Sequence, residues 1–579
     1  MNILGIHGNI FNPQSEVFES NVALLTDGQV ISAVSEERLS RKKMDGRYPY
    51  LAIADVLNTT GISLRDIDAI AIAGRKPADA IVEYAKSTLT TFLDTGVLIT
   101  NPAKSIRHLK GLFRFFTSPE KNQATAKVPG AEGFGPKPFF IDHHLCHAAG
   151  AYYASPFDDA LVITLDGGGD GLDGTAYKAE GAKLTRIFSV PHFQSPGTMY
   201  SAITHDMGFI RHRHEGKITG LAALGKPLQE KMGLDNLMKY SSSRHRFISP
   251  SVARHARNLN SVSSYFGPLF KNHSRADLAA TVQHIFEEVI LEFVTDAYRS
   301  ATRAGFTTRN ICLSGGCFAN VRLNQKIAEL DFFDNLYVFP AMGDGGLAAG
   351  AAIQHYYNSG RRERNASKLK HVYIGSDFSE AQMEAALKKA NLSYSRPAEP
   401  EKEVARLLAE GKVIGRFNGA MEYGPRALGN RSILGAPFDP SINDWLNKKL
   451  HRTEFMPFAP SMTEKGAHAF LRGYRDDHVA AEFMTVTYDI LPGMAEKIPA
   501  VVHVDNTARP QVVRKDINPS YHRIIEAFGE ITGVAVVLNT SFNIHEEPIV
   551  YTPEDAIRGF LDAKLDFLSM GPFLVHFPG

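Results

Sequence analysis

Ala160-Leu161-Val162-Ile163-Thr164-Leu165-Asp166-Gly167-Gly168-Gly169-Asp170-Gly171, running on through Gly174-Thr175-Ala176-Tyr177, is the stretch that decides how this 579-residue chain reads. An apolar, partly β-branched run predicts a strand, the glycine cluster a turn, and the second run a returning strand. The same pattern stands at the start of the chain. Met1 to Ile6 and Val22-Ala23-Leu24-Leu25 are followed by Asp27-Gly28 and then Val30 to Val34, and Asp-Gly between apolar runs signals a hairpin. Two strand-turn-strand units, each followed by helical segments, read as an internal duplication.

Strands ending in glycine turns recur further on. Ile311-Cys312-Leu313-Ser314 runs into Gly315-Gly316 before a helix, and Leu336 to Pro340 runs into Met342-Gly343-Asp344-Gly345-Gly346 before the helix that starts at Leu347. Such turns let backbone amides approach a ligand closely. Taken with the duplication, they resemble the two-lobed ATPase architecture of the actin, sugar-kinase and heat-shock chaperone superfamily, an α/β fold holding nucleotide between glycine-rich turns.

Just upstream of the quoted stretch lies His143-His144-Leu145-Cys146-His147, between an apolar run (Pro138 to Ile141) and a helical one (Ala148 to Ala154). A His-x-x-x-His pair on a helix puts two imidazoles on one face, one turn apart, which is metal-ligand spacing. The same spacing also serves core and capping histidines, so a third ligand decides between the two. Asp344, at its glycine-rich strand-to-helix turn, is the candidate.

Composition is that of a globular protein of two or three domains: 44% hydrophobic, 22% charged, with 63 Lys plus Arg against 62 Asp plus Glu, a net charge of +1. No global field recruits nucleic acid or an anionic membrane, so any anion site is local. The chain opens on a strand-like segment without the features of a signal peptide, and no window holds about 18 uncharged apolar residues; a soluble, cytoplasmic protein is expected. Three cysteines, Cys146, Cys312 and Cys317, without a Cys-x-x-Cys, support neither a disulfide framework nor a thiolate zinc site.

The polar tract from Asn358 to Lys370 reads as a linker, and a second α/β domain is expected after it, with a helix from Ser379 to Lys389 and a strand from Lys412 to Phe417. This part carries its own basic constellation: Arg426 and Arg431 within Gly424-Pro425-Arg426-Ala427-Leu428-Gly429-Asn430-Arg431-Ser432, Arg509, and Asn539 within Asn539-Thr540-Ser541-Phe542-Asn543. Arginine suits phosphate recognition because its planar donors match the anion's oxygens.

These strings, with Ser35 to Lys43 and Glu215-Gly216-Lys217-Ile218-Thr219-Gly220-Leu221-Ala222, resemble in their order the O-carbamoyltransferases of the nodulation, cephamycin and tobramycin biosynthesis type, from the N-terminus to Val575. The resemblance implies an ATPase-like carbamoyl-transfer domain over 1–357, a linker over 358–371 and a YrdC-like α/β domain over 372–579. It implies a carbamoyltransferase that uses ATP and carbamoyl phosphate, by way of a carbamoyl adenylate, to carbamoylate a small hydroxylated acceptor in specialised metabolism, antibiotic biosynthesis included. It places a divalent metal, Fe2+ first with Mg2+ or Mn2+ as alternatives, on His143, His147 and Asp344. Nucleotide falls to Asp166, Gly167, Gly168, Gly169, Lys217, Gly315, Gly316 and Asn320, and carbamoyl phosphate to Arg426, Arg431, Arg509 and Asn539, with Glu19, Arg426 and Arg509 as catalytic residues. No nucleic acid or membrane partner is implied, and a homodimer is open to it.

The chain departs from the family pattern at five places. Phe18-Glu19 stands at the usual His-Asp, leaving Glu19, His7 or a bound water as the base for the acceptor hydroxyl. Leu450 stands at the usual Lys, Thr453 at the usual Glu and Met456 at the usual second Arg, with Lys449 and Arg452 close by. Glu546 stands where a glycine is usual. These departures keep a second reading open, in which ATP adenylylates or phosphorylates a substrate without carbamoyl phosphate.

Overall fold

The protein is described from a computed structural model over residues 1–8, 19–75, 138–192, 194–249, 266–361, 363–450 and 458–578. Phe18, Arg452, Thr453 and Met456 lie outside the described residues.

The duplication read from the glycine-flanked strands is borne out strand for strand. One sheet holds β1 (Asn2–His7), β2 (Asn21–Thr26), β3 (Gln29–Ser35), β4 (Ala69–Ala73) and β5 (Pro138–Ile141) in the order β3-β2-β1-β4-β5. Its β1 is antiparallel to β2 and parallel to β4, and β4 is parallel to β5. The other sheet holds β6 (Asp159–Gly169), β7 (Leu172–Glu180) and β8 (Lys183–Pro191), and, past a short ribbon of β9 (Lys239–Ser241) and β10 (Arg246–Ile248), β11 (Asn310–Ser314) and β12 (Asn335–Val338). Its order is β12-β11-β6-β7-β8, with β6 antiparallel to β7 and parallel to β11. Counted from its own first strand, each sheet reads third, second, first, fourth, fifth. This repeated mixed sheet is the ATPase-like fold expected.

Two helices meet beside the first sheet, His143–Ala154 and Leu347–Asn358. Their small residues let backbones touch: a Cβ on Gly350 would lie 2.0 Å from the Cys146 carbonyl oxygen, and one on Gly5 of β1 would lie 2.0 Å from that of Ala348. That closeness brings the start of each helix, where the His143 and Asp344 segments lie, to a common place.

The chain divides into two compact units, one of Met1–Ile31, Gly46–Pro49 and Ile62–Leu369, the other of Ser32–Asp45, Tyr50–Gly61 and Lys370–Gly579. The later unit therefore also takes in the early motif Ser35 to Lys43. There Glu36 accepts from the amides of Leu51 (3.2 Å) and Ala52 (2.7 Å), Arg38 donates to the Gly424 carbonyl (3.1 Å), and Arg41 donates to those of Ile549 (2.8 Å) and Pro548 (2.7 Å). Its charges hold backbone. Within the polar tract 358–371, Arg364 is buried in the first unit, donating to the carbonyls of Tyr152 (2.8 Å) and Tyr153 (3.1 Å) and lying 4.2 Å over the Tyr152 ring.

The second unit is built on β13 (Ile414–Phe417), β14 (Arg431–Gly435), β15 (Ala459–Met462), β18 (Gln511–Val512), β19 (Val536–Ser541), β20 (Phe567–Met570) and β21 (Phe573–His576), with a ribbon of β16 (Tyr488–Asp489) and β17 (Thr507–Ala508) beside them. The seven-stranded order is β18-β15-β19-β14-β13-β20-β21, mixed in direction. Alternation sends Phe417, Ile433, Leu538 and Met462 to one core and Ile414, Leu434 and Val537 to the other, so both faces are covered. The α/β architecture expected of the C-terminal part is borne out. Among the described residues no helix is long and apolar enough to cross a membrane.

Candidate functional site

The two histidines, brought by one helix, meet one aspartate from strand β6, Asp166, and one from the turn before the helix Leu347–Asn358, Asp344. Asp142 caps the helix His143–Ala154, accepting from the Leu145 amide at 3.1 Å, and Arg75 fixes Asp142 at 2.6 Å. His143 and His147 then point Nε2 the same way. Their ligand atoms and those of Asp166 and Asp344 all lie within 4.8 Å of one another, a group that can hold a metal ion. His147 Nε2 lies 3.1 Å and His143 Nε2 3.6 Å from Asp166 Oδ2, and each lies 3.8 Å from Asp344 Oδ1.

The donor chemistry fits a cation. Ser314 Oγ donates to the Met342 carbonyl at 3.1 Å, so it accepts from His147 Nδ1 at 3.0 Å. That relay leaves the Nε2 of a neutral His147 as a bare lone pair facing two carboxylates, which a cation between them reconciles. His143 Nε2 is buried with no hydrogen-bond partner. Burial pulls His143 toward neutrality, but the Asp166 carboxylate, 3.6 Å from its Nε2, and the field of Asp344 prevail and hold its pKa up at about 9. For Asp166 burial acts upward, and the two neighbouring imidazoles outweigh it and hold the carboxyl well below the usual range.

His144, the third histidine of the run, is structural. It donates to the Leu172 carbonyl at 3.1 Å and accepts from Thr164 Oγ1 at 2.9 Å, and burial pushes its pKa down to about 3. His7, at the end of β1, faces the cluster from the other sheet, its Nε2 4.0 Å from Asp344 Oδ2, and burial pushes its pKa down to about 4. Asn21 ties the Asp344 turn to β2, donating to the Asp344 carbonyl at 2.9 Å and accepting from the Ala348 amide at 3.0 Å. Glu19 stands at the same turn: a Cβ on Gly345 would lie 3.1 Å from its Oε1.

The glycines divide by what fills their missing side chains. A Cβ on Gly168 would strike the His192 ring at 2.1 Å, and one on Gly169 the His143 ring at 2.3 Å. Those two make room for imidazoles. Gly167 has nothing within 4 Å and borders open space. Gly315, at φ +110°, packs its turn against the Leu165 carbonyl, and a Cβ on Gly316 would lie 3.1 Å from Asp166 Oδ1. Lys217 is buried with Nζ 5.5 Å from the centroid of the Phe209 ring. Asn320 caps the helix Val321–Ala328 by accepting from the Leu323 amide at 3.1 Å and donates to Gln283 (2.9 Å) and Thr219 (3.3 Å).

In the second unit the expected phosphate ligands differ in what they already do. Arg431 is fully buried, stacks 3.8 Å over Phe417 and donates to the carbonyls of Asn418 (2.9 Å), Gly419 (3.0 Å) and Asn430 (3.0 Å); burial pushes its pKa down to about 10. Arg426 and Arg509 are half-buried. Asn539 is buried with its amide nitrogen at the Ala427 carbonyl (3.3 Å), Ser461 Oγ (3.0 Å) and Gln511 Oε1 (3.0 Å), while its Oδ1 has no partner among the described residues. Gln511 is itself oriented by donating to the Leu428 carbonyl at 2.7 Å, so two backbone carbonyls fix which way the Asn539 amide faces. Asn539 offers an acceptor, not a donor. Leu450 is buried in the sheet's core, and Lys449 lies over the Trp445 ring at 5.2 Å.

Comparison with known proteins gives the chemistry its class. A family model described as Carbamoyltransferase N-terminus matches residues 14–353, and one described as Carbamoyltransferase C-terminus matches residues 405–576. The chain belongs to the carbamoyltransferase family. The expected carbamoyltransferase activity class is thereby borne out, as is the resemblance to nodulation-type enzymes. The chain is 31% identical over 583 residues to nodulation protein NolNO of Sinorhizobium fredii (strain NBRC 101917 / NGR234), covering 98% of this chain and 81% of that one. It is 32% identical over 601 residues to the uncharacterized protein sll1178 of Synechocystis sp. (strain ATCC 27184 / PCC 6803 / Kazusa), covering 96% and 95%. Among solved structures, HypF of T. kodakarensis overlaps at a TM-score of 0.33 and 11% identity over 63% of this chain. The chain spans about half (49%) of that structure's length, a likeness too slight to bear on function.

Sequence reasoning assigned Asp166 to nucleotide, whereas its carboxylate stands among the candidate metal ligands. It gave Ser314 and Asn21 no role; a hydroxyl at a strand end and an asparagine in a strand carry no signal until the fold brings their partners.

Proposed function

We propose that this carbamoyltransferase takes its carbamoyl group from carbamoyl phosphate, activates it with ATP as a carbamoyl adenylate, and transfers it to the hydroxyl of a small molecule of specialised metabolism. The observation that carries the reading is the buried set His143, His147, Asp166 and Asp344, whose lone pairs and carboxylates converge. A divalent metal held there supplies positive charge to phosphate oxygens. Gly167, beside open space, and the Gly315-Gly316 turn bring backbone to the nucleotide, with Lys217 and Asn320 holding neighbouring helices in place.

Glu19, at the Asp344 turn, takes the acceptor's hydroxyl proton as its oxygen bonds the carbamoyl carbon and AMP leaves. Arg426 and Arg509 bind the donor phosphate. Arg431 positions the loop that carries Arg426, and Asn539 Oδ1 accepts from the carbamoyl amide, which separates this donor from acyl phosphates lacking an N–H. Over the cycle one water is consumed, and orthophosphate, pyrophosphate and AMP are released.

The test supplies the metal-loaded protein with ATP, isotope-labelled carbamoyl phosphate and a panel of alcohols. AMP that forms only when carbamoyl phosphate is present, with label in a carbamate ester, is the expected result. Nucleotide consumed with an alcohol when carbamoyl phosphate is omitted, or no label transferred to any alcohol, overturns it. The former outcome favours the adenylyl- or phosphoryl-transfer reading, which the buried Leu450 at the usual lysine position keeps in view.

A further inference from the structure

His143 is held by more than its own helix. The hairpin of β6 and β7 reaches it at three points. A Cβ on Gly169 would strike the imidazole at 2.3 Å, so the ring packs on that glycine, and Asp166 Oδ2 lies 3.6 Å from Nε2. Asp170, the next residue of the hairpin, takes the backbone: its Oδ2 accepts from the His143 amide at 2.8 Å. That amide opens the helix His143–Ala154 and has no partner within it.

The same Oδ2 accepts from the Arg75 amide at 2.9 Å. Arg75 follows the end of β4, where the Gly74 amide donates to the Ile141 carbonyl at 2.7 Å, and its guanidinium holds Asp142, the cap of the helix, at 2.6 Å. The bonds close a ring that runs from Asp170 to Arg75, to Asp142, to the helix and back to Asp170. It joins the end of the first sheet to the hairpin of the second, with the helix start fixed between them. Asp170 does this from φ +52°, in the left-handed region, between Gly169 and Gly171. A turn alone would be served better by a third glycine there.

We infer that Asp170 is a positioning residue of the metal site. It stands outside the group of converging ligand atoms, yet its bonds to the His143 and Arg75 amides set how the hairpin sits on the helix. Asp166 lies four positions earlier in the same hairpin, so a shift of the hairpin moves that carboxylate against His143 and His147 together. The inference rests on the metal reading of the cluster. It makes metal affinity depend on a contact between the two sheets that the ion itself does not touch.

The test strips the full-length protein and reloads it with Co2+, beside Asp170→Gly and Asp170→Asn variants whose folding is checked by circular dichroism. Asp170→Gly relieves the turn and removes the clasp, whereas Asp170→Asn keeps an oxygen able to accept from the same amides. Co2+ affinity measured against a competing chelator should fall about tenfold to a hundredfold in Asp170→Gly, with an altered Co2+ d–d absorption spectrum. In Asp170→Asn it should fall by a smaller factor and the spectrum stay close to that of the unaltered chain. A residue that merely steadied the turn would move neither readout in the folded protein. Equal affinity and spectrum in Asp170→Gly and the unaltered chain therefore overturn the role of Asp170 and leave the metal reading standing. Should Asp170→Gly not fold, Asp170→Asn decides: a measurable fall in affinity supports the role, and none overturns it. No stoichiometric Co2+ uptake by the unaltered chain overturns the metal reading and this inference together.

Discussion

The His143 cluster of the first unit and the Arg431 cluster of the second are both buried, both polar, and both drawn from motifs that look functional in sequence. They differ in where their hydrogen bonds go. The hydrogen bonds of the Arg431 guanidinium end on the backbone carbonyls of Asn418, Gly419, Asn430 and Ser376, so the group is a strut that holds the loop Asn418–Asn430. In the histidine cluster, Ser314 instead fixes the far nitrogen of His147, and the near nitrogens of His143 and His147 face carboxylates. A charged motif residue is a ligand only where folding leaves its chemistry facing outward from its own supports.

That contrast gives its own tests. The largest effect is expected for His147→Ala, which should lower metal affinity by more than about a hundredfold, beyond the range typical of outer-sphere changes, while the second unit melts as before. Metal titration followed by calorimetry reads both. Arg431→Met should do the opposite: metal affinity unchanged, and stability of the second unit reduced by about 3 kcal/mol or more as carbonyls lose their donors at roughly 1 to 3 kcal/mol each. A stable Arg431→Met protein with weakened carbamoyl phosphate binding would break the comparison by making Arg431 a ligand after all.

The smallest effect concerns Glu482, which lies 3.9 Å from Arg514 with 15% of its side chain exposed. Burial pushes its pKa up to about 7, against a weaker opposing pull from Arg514. Its folded pKa thus exceeds the unfolded value near 4.5, so the native state holds a proton the unfolded chain has lost. Stability is then greatest below that value and declines as pH rises toward 7. Glu482→Gln should flatten this slope and raise stability above pH 7 by on the order of 1 kcal/mol; melting temperatures unchanged at both ends of the window would refute it.

Much of the fold was legible because its signals are local. The β6 run with its glycines and the Asp27-Gly28 turn each carry a strand and a turn within a few residues, and repetition announced the paired sheets. The His-x-x-x-His pair was legible for the same reason, its partners lying on one helical face. The share of Ser35 to Lys43 in the second unit was not, because Glu36, Arg38 and Arg41 hold backbone groups whose nearness only the tertiary fold creates. Nor was the division of labour among Gly167, Gly168 and Gly169. A glycine that opens onto space and one that admits a histidine ring are the same letter.

The four converging donors come from positions 143, 147, 166 and 344, and the last arrives roughly two hundred residues after the first. During synthesis, then, a ribosome-bound chain acquires three corners of the site long before the fourth, and only the closing of the second sheet and the docking of the helix Leu347–Asn358 complete it. Cation capture would therefore come late and report that the whole first unit has folded, and a bound ion would in turn stabilise that finished topology over every partly built one.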